Sequence, residues 1–154
     1  MKKIVLSMLS LALLSSVAVA ASANEASTNS VIKPQAIFYD REPNDKRADA
    51  NFFSIGDGNQ ISGALPIGDA ADWYTFTPST TGKYRFYFSH SSLQFYSMVV
   101  KGDGVGTVGK IEYNDPIKYF DATVEAGKTY YIEVSGGKDD TADFGYDIYT
   151  YKIN

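Results

Sequence analysis

Residues 83–90 read Lys-Tyr-Arg-Phe-Tyr-Phe-Ser-His, with large aromatic side chains at every second position. Successive side chains of a β-strand point to opposite faces of the sheet, so Tyr84, Phe86 and Phe88 share one face. This period of two is typical of a strand that buries one face and leaves the other, here with Tyr87, towards solvent. The stretch therefore predicts a half-buried strand of an antiparallel sheet.

Further strand-like segments lie on both sides of this stretch, and none has the period of a long amphipathic helix. The predicted strands span residues 60–65, 73–77, 83–90, 95–101, 110–113, 117–124, 129–135 and 145–153. Between them, residues 102–109 are predicted to form a glycine-rich loop and residues 46–51 a short helical turn. About eight or nine short strands with Gly and Pro turns favour an all-β fold, a two-sheet antiparallel β-sandwich that is jelly-roll-like.

The N-terminus has the composition of a secretory signal peptide. Lys2 and Lys3 precede an apolar run, and the small residues 21–23 follow it. We predict cleavage after Ala23, with cleavage after Ala20 and a retained membrane anchor as alternatives. The predicted organisation is a signal peptide over 1–23, a polar and flexible leader over 24–38, and one β-sandwich domain over 39–154. The expected location is secreted or extracellular.

Charge and composition exclude several classes of partner. The chain has 14 basic and 18 acidic residues and no cysteine. An acidic chain without a basic run is a poor match for nucleic acid or an anionic membrane surface, so we expect neither as a partner. A net negative charge in an exported protein is compatible with solubility and with the binding of divalent cations.

Two short acidic segments precede the aromatic strands. Residues 40–45 read Asp-Arg-Glu-Pro-Asn-Asp, and residues 68–72 read Gly-Asp-Ala-Ala-Asp. The residue before a proline favours extended backbone, which would place Asp40, Glu42 and Asn44 on one face. Carboxylate and amide oxygens from loops are the ligands that calcium prefers, so the spacing predicts a calcium site. The alternative is that these are solvated turns that bind no ion.

No catalytic constellation is recognisable. His90 is the only histidine, and the chain lacks cysteine, a Gly-x-Ser-x-Gly turn and an HExxH motif. A serine hydrolase needs three placed groups, and a glycosidase needs two carboxylates of distinct roles, which the sequence does not separate. The sequence therefore favours a protein that is not an enzyme.

Two motifs in order carry a resemblance to a known family. Residues 42–45 read Glu-Pro-Asn-Asp, and residues 68–76 read Gly-Asp-x-x-Asp-Trp-Tyr-x-Phe, with Ile-Ser-Gly at 61–63 between them. This arrangement resembles the bacterial pre-peptidase C-terminal domain family, which includes the collagen-binding domains of clostridial collagenases. The resemblance covers residues 39–153 and is strongest from Glu42 to Phe88.

The resemblance implies calcium as the cofactor and two sets of site residues. Its calcium ligands would be Asp40, Glu42, Asn44, Asp45, Asp69 and Asp72, with a main-chain carbonyl near Ala64. Collagen-binding relatives use exposed tyrosines on one sheet, for which this chain offers Tyr87, Tyr131, Tyr149 and Tyr151. Trp73 and Tyr74 would be core residues that support the acidic loop.

The leading hypothesis is a secreted, calcium-stabilised, non-catalytic binding module that recognises an extracellular protein or matrix polymer, with collagen as a specific candidate. An alternative is a secretion or folding helper, or an inhibitor, of a separately encoded exoprotease, which makes a secreted peptidase a possible partner. A third is a small hydrolase with an unrecognised site.

Overall fold

The computed structural model describes residues 35–91, 94–136 and 145–153, and all structural statements below refer to these residues. The predicted signal peptide and residues 24–34 of the predicted leader lie outside them. The first strand begins at Ile37, so regular structure starts inside the segment 24–38. In the described part of the chain, no helix has the length and apolar character needed to cross a membrane.

The described chain is almost entirely β-structure. In order, the strands are β1 (Ile37–Tyr39), β2 (Asn51–Phe52), β3 (Asn59–Ala64), β4 (Ala71–Phe76), β5 (Gly82–His90), β6 (Tyr96–Gly102), β7 (Gly106–Ile111), β8 (Tyr119–Val124), β9 (Tyr130–Gly136) and β10 (Gly145–Lys152). A single turn of 3-10 helix, Arg47–Asp49, precedes β2, where a short helical turn was predicted.

The strands form two sheets of five. The first sheet has the order β1-β3-β10-β5-β8, and the second has the order β2-β4-β9-β6-β7. The all-β, two-sheet β-sandwich predicted from the alternation is thus confirmed. The pairs β1–β3 and β2–β4 are parallel, whereas the other pairs are antiparallel. Both parallel pairs lie at an outer edge, where the very short strands β1 and β2 end the two sheets.

The core lies between the sheets and is rich in aromatic rings. Tyr84, Phe86 and Phe88 of β5 are 4%, 0% and 0% exposed, as their alternation predicts. From the second sheet, Phe76 stacks on Tyr130 with ring centroids 5.3 Å apart. Burying one such side chain contributes roughly 1.5–3 kcal/mol, so this core is the main source of stability.

One loop is shorter than predicted. Residues 102–109 were expected to form a loop, but strand β7 begins at Gly106 and only residues 103–105 form the turn. Gly104 and Gly106 have positive φ, which permits a tight turn. Gly109 lies inside β7, and a Cβ there would be 2.1 Å from the ring of Phe120. These glycines therefore serve a turn and a close ring contact rather than a long loop.

Candidate metal centre

Strands β1 and β4 bring the two acidic segments together. Asp40 directly follows β1, and its N–H donates to the Ser62 carbonyl at 3.0 Å. The Trp73 N–H of β4 donates to the Asn44 carbonyl at 2.9 Å. Asp72 lies in β4, and Asp69 lies in the turn before it. The main chain thereby holds the loop after β1 against the start of β4.

Five carboxylates converge at this junction. Carboxylate oxygens of Asp40, Glu42 and Asp72 lie within 4.8 Å of one another, and those of Glu42, Asp45 and Asp69 form a second such group. Glu42 belongs to both groups. The structure thus brings together all five carboxylates predicted from the sequence. It does so with a bent loop and a cis Glu42–Pro43 peptide bond rather than with the extended segment that was expected.

Asn44, the predicted amide ligand, is fully buried in the same cluster. Its side-chain Nδ2 donates to Asp40 Oδ1 at 2.7 Å, and its main-chain N–H donates to Glu42 Oε2 at 3.1 Å. The amide oxygen is left without a donor. The side-chain amide and the main-chain N–H of Asn44 thus each hold one carboxylate, and the amide oxygen remains available as an acceptor.

Three buried oxygens in the cluster lack a hydrogen-bond donor among the described residues: Asn44 Oδ1, Asp69 Oδ2 and Asp72 Oδ1. A buried acceptor without a partner costs about 1–3 kcal/mol, so native proteins rarely leave several together. Each of the three belongs to a residue predicted as a calcium ligand. Oxygens of this type are hard donors, which divalent cations accept as ligands.

The electrostatics of the cluster disfavour its own negative charge. Burial raises the pKa of Asp72 to about 8, with the nearby charges of Asp40 and Asp69 acting in the same direction and the Tyr146 hydrogen bond opposing them. Burial, followed by the charge of Glu42, raises the pKa of Asp69 to about 6. Burial is also the main cause of the raised pKa of Asp40. A bound cation would offset this repulsion and favour the ionised carboxylates.

Two buried tyrosines connect the carboxylates: Tyr74, which was expected to support the acidic loop from the core, and Tyr146, which the sequence did not reveal as a site residue. The Tyr146 hydroxyl contacts Asp72 Oδ2 and lies 2.6 Å from the hydroxyl of Tyr74, which donates to Asp40 Oδ1 at 2.9 Å. Gly63 makes room for the pair, because a Cβ there would lie 2.5 Å from the Tyr146 hydroxyl and 2.6 Å from that of Tyr74. The Ile-Ser-Gly segment of the family resemblance was the available signal for this contact.

The structure separates the predicted ligand tyrosines into two groups. Tyr87 and Tyr149 are direct cross-strand partners in the first sheet, with ring centroids 6.2 Å apart, and Tyr151 lies on the same face of β10. Tyr131 is on β9 of the second sheet, where the guanidinium of Arg47 lies 3.9 Å from its ring centroid. Three of the four predicted residues therefore share a face, and Tyr131 does not.

A further tyrosine joins this face. Tyr119 of β8 pairs directly with Tyr87 and is 39% exposed, similar to the 40% of Tyr87. Arg85 covers its ring at 4.0 Å and forms a salt bridge with Asp121 at 2.8 Å. We call Tyr87, Tyr119, Tyr149 and Tyr151 the tyrosine face.

Trp73 was expected in the core with Tyr74, and this expectation is wrong for Trp73. Tyr74 is 1% exposed, and the alternation of β4 therefore directs Trp73 outward, where the Lys101 ammonium lies 5.2 Å from its ring centroid. His90 ends β5, packs 4.9 Å from the Phe88 ring and contacts the Ser91 carbonyl through Nδ1 at 2.8 Å.

Comparison with known proteins identifies the fold. No protein-family model matches the chain, and no curated protein matches its sequence. Among solved structures, the pre-peptidase C-terminal domain of a collagenase from Bacillus anthracis is similar, with a TM-score of 0.52 and 21% identity over 66% of this chain and 95% of that chain. A periplasmic inhibitor of g-type lysozyme from Aeromonas hydrophila gives a TM-score of 0.45 and 14% identity over 66% of this chain and 96% of that chain. The predicted resemblance is thus confirmed at the level of structure: the chain has the fold of a pre-peptidase C-terminal domain.

Proposed function

We propose that the protein is an extracellular, non-catalytic binding module whose acidic loops hold calcium. The observation that carries this proposal is the set of buried oxygens on Asn44, Asp69 and Asp72 that lack donors among the described residues, together with the two groups of converging carboxylates. The ligand side chains would be Asp40, Glu42, Asn44, Asp45, Asp69 and Asp72. The proposed location follows from the signal-peptide composition of residues 1–23.

The donor set favours calcium over other divalent ions. Carboxylate and amide oxygens are hard ligands, whereas zinc sites in proteins generally include His nitrogen or Cys sulfur, neither of which is in the cluster. Calcium accepts about six to eight oxygens in variable geometry, and magnesium requires a near-ideal octahedron and retains several waters. A crowded, irregular cluster with many protein oxygens therefore fits calcium better than magnesium.

Calcium in this position would act on stability and shape. The candidate ligands lie in the loop after β1, which ends the first sheet, and in the turn and strand around Asp69 and Asp72, which belong to the second. An ion shared between the two segments would neutralise their repulsion and join the edge strand β1 of the first sheet to β4 of the second. We propose that it is a structural ion that fixes the N-terminal edge of the domain.

The binding surface we propose is the tyrosine face of the first sheet. Exposed aromatic side chains with a polar hydroxyl are enriched where proteins bind partners, because they supply apolar area at low entropic cost. An Arg85–Asp121 pair lies beside Tyr119 and adds charged groups to the same face. The proposed ligand is an extracellular protein or matrix polymer, and collagen is the specific candidate that the family resemblance supplies.

A sedimentation assay with insoluble fibrillar collagen, in millimolar calcium, tests this surface. We expect the double variant Tyr87→Ala with Tyr149→Ala to lose at least tenfold in retention and Tyr131→Ala, on the other sheet, to retain wild-type binding. Equal loss in both variants would reject the tyrosine face. Absence of retention, together with inhibition of or stable association with a secreted peptidase, would instead favour the helper or inhibitor alternative.

A further inference from the structure

A groove separates the outer edges of the two sheets, beside the metal centre but distinct from the tyrosine face. It has a volume of about 490 Å³ and lies between β1 and β2. Its rim is apolar and accessible: Ile37, Tyr39 and Phe52 are 44%, 69% and 65% exposed. Phe38 and the buried Tyr74 contribute to its lining. An exposed apolar surface beside two sheet edges is unusual, because native proteins generally cover or charge such edges.

Strand β1 presents unused backbone groups along this groove. The Ala36 carbonyl accepts from Gln60 and the Asp40 N–H donates to Ser62, so even-numbered residues of this segment face β3. Consequently, the N–H and C=O groups of Ile37 and Tyr39 point to the open side. Among the described residues, these groups have no hydrogen-bond partner there. They match the pattern that an added strand would pair with.

At the end of this open edge, the Asn51 side chain makes the two hydrogen bonds that a neighbouring strand would make. The Arg41 N–H donates to Asn51 Oδ1 at 2.8 Å, and Asn51 Nδ2 donates to the Arg41 carbonyl at 3.0 Å. One amide thus satisfies both groups of Arg41, as a paired strand residue would. The open length that remains is Ile37 to Tyr39, which defines where an added strand begins and ends.

Arg41 also defines the charge of the occupant. It is the only charged residue in the described lining of the groove. Its guanidinium forms no ion pair with any described residue, whereas the other arginines, Arg47 and Arg85, are paired with Asp103 and Asp121. A carboxylate at one end of an extended peptide would complement this cation.

From these observations we infer that the groove is a docking site for an extended peptide segment of a partner protein. The peptide would pair with the open edge of β1 and place alternate apolar side chains against Phe38 and Phe52. A carboxylate at one end of the peptide would contact Arg41. This mode adds a strand to an existing sheet: main-chain hydrogen bonds give affinity and alternate side chains give specificity. The site is independent of the tyrosine face.

The test uses a blocked seven-residue peptide of alternating Thr and Val ending in Glu, titrated into the calcium-loaded full chain and followed by amide NMR. We expect the amide protons of Ile37 and Tyr39 to exchange at least tenfold more slowly at saturation. The Glu peptide should bind about fivefold more tightly than its Gln counterpart. That preference should disappear in Arg41→Gln and persist in Lys46→Gln, which removes an exposed positive charge outside the lining of the groove.

Three results would overturn the inference. The first is unchanged exchange at Ile37 and Tyr39 with millimolar peptide. The second is peptide-induced change confined to the tyrosine face. The third is protection of β1 that depends on protein concentration without peptide, which would make a second copy of the chain the occupant. Circular dichroism of Arg41→Gln and Lys46→Gln confirms that both variants fold.

Discussion

The hydroxyl oxygens of Tyr74 and Tyr146 lie 2.6 Å apart in the buried wall of the acidic cluster. Tyr146 also contacts Asp72, and Tyr74 contacts Asp40. The three oxygen–oxygen contacts need three hydrogens, and the two phenols supply only two. Burial raises the pKa of both phenols, which therefore keep their hydrogens near neutral pH. All three contacts are satisfied when one carboxyl retains a proton. Asp72, with a pKa raised to about 8, is the group suited to hold it.

This arrangement predicts an unusual pH dependence in chelator. The pKa values of Asp69 and Asp72 are raised from 3.8 in the unfolded reference to about 6 and about 8 in the fold. The folded state therefore binds more protons than the unfolded state across this range, and the free energy of unfolding falls as pH rises from about 4 to about 8. Urea denaturation at several pH values, with chelator and with calcium, measures this. Stability that rises with pH in chelator would contradict it, and calcium should reduce the downward slope.

The tyrosine contact predicts a selective effect of Tyr146→Phe. Loss of the hydroxyl leaves the ionised form of Asp72, which would bind calcium, without its hydrogen-bond donor, so we expect calcium affinity to fall about tenfold, the scale found when a group that orients a metal ligand is removed. Titration calorimetry measures the affinity. Tyr84→Phe is the matched control, because its buried hydroxyl contacts Thr80 at 3.3 Å, away from the carboxylates. Equal loss of affinity in both variants would mean that the effect is on general stability.

Gly63→Ala tests the same contact from the opposite side. The added Cβ would overlap the hydroxyls of Tyr74 and Tyr146, so we expect a loss of about 1–3 kcal/mol in stability together with weaker calcium binding. Gly109→Ala provides the control, since its Cβ would instead meet the ring of Phe120. That variant should lose stability and keep its calcium affinity. Unchanged calcium affinity in Gly63→Ala would show that the hydroxyls need not be so close.

The variant Asp72→Asn distinguishes an effect on calcium binding from an effect on the stability of the fold. The substitution removes a buried charge and keeps an oxygen acceptor for Tyr146, so stability in chelator near pH 8 should be unchanged or higher. In calcium, the variant should lose most of the stabilisation that the wild type gains. Asp121→Asn weakens the surface pairs of Asp121 with Arg85 and Lys83, which lie outside the acidic cluster, and should leave the calcium response unchanged. A calcium response of Asp72→Asn equal to that of the wild type would remove Asp72 from the ligand set.

Local alternation was sufficient to predict the architecture of the sandwich. Tyr74 and Phe76 in β4, like the aromatic residues of β5, are buried because a period of two places them on the core face. Strands β1 and β2 were not predicted as such, since two or three residues carry no detectable period. The start of β7 was predicted as a loop partly because of Gly109. The reason for a glycine there is contact with the Phe120 ring of another strand, which local sequence does not show.

The candidate site was predictable only in part for a similar reason. The candidate ligands could be predicted because they are Asp, Glu and Asn residues clustered in two short segments, 40–45 and 69–72. Tyr146 contacts Asp72 across 74 residues, and no local spacing reveals such a pair. Tyr131 was grouped with the wrong sheet. The alternation of a strand predicts which side chains are exposed, but it does not predict to which sheet the strand belongs.

Thermal unfolding of residues 24–154 in chelator, in millimolar magnesium and in millimolar calcium tests the central claim most directly. A ligand that binds only the folded state at a hundredfold excess over its Kd raises stability by about 2.7 kcal/mol, which corresponds to several degrees in Tm for a domain of this size. We predict such a rise with calcium and a much smaller one with magnesium. The same Tm in all three conditions would contradict the account and would leave the acidic loops as turns without an ion.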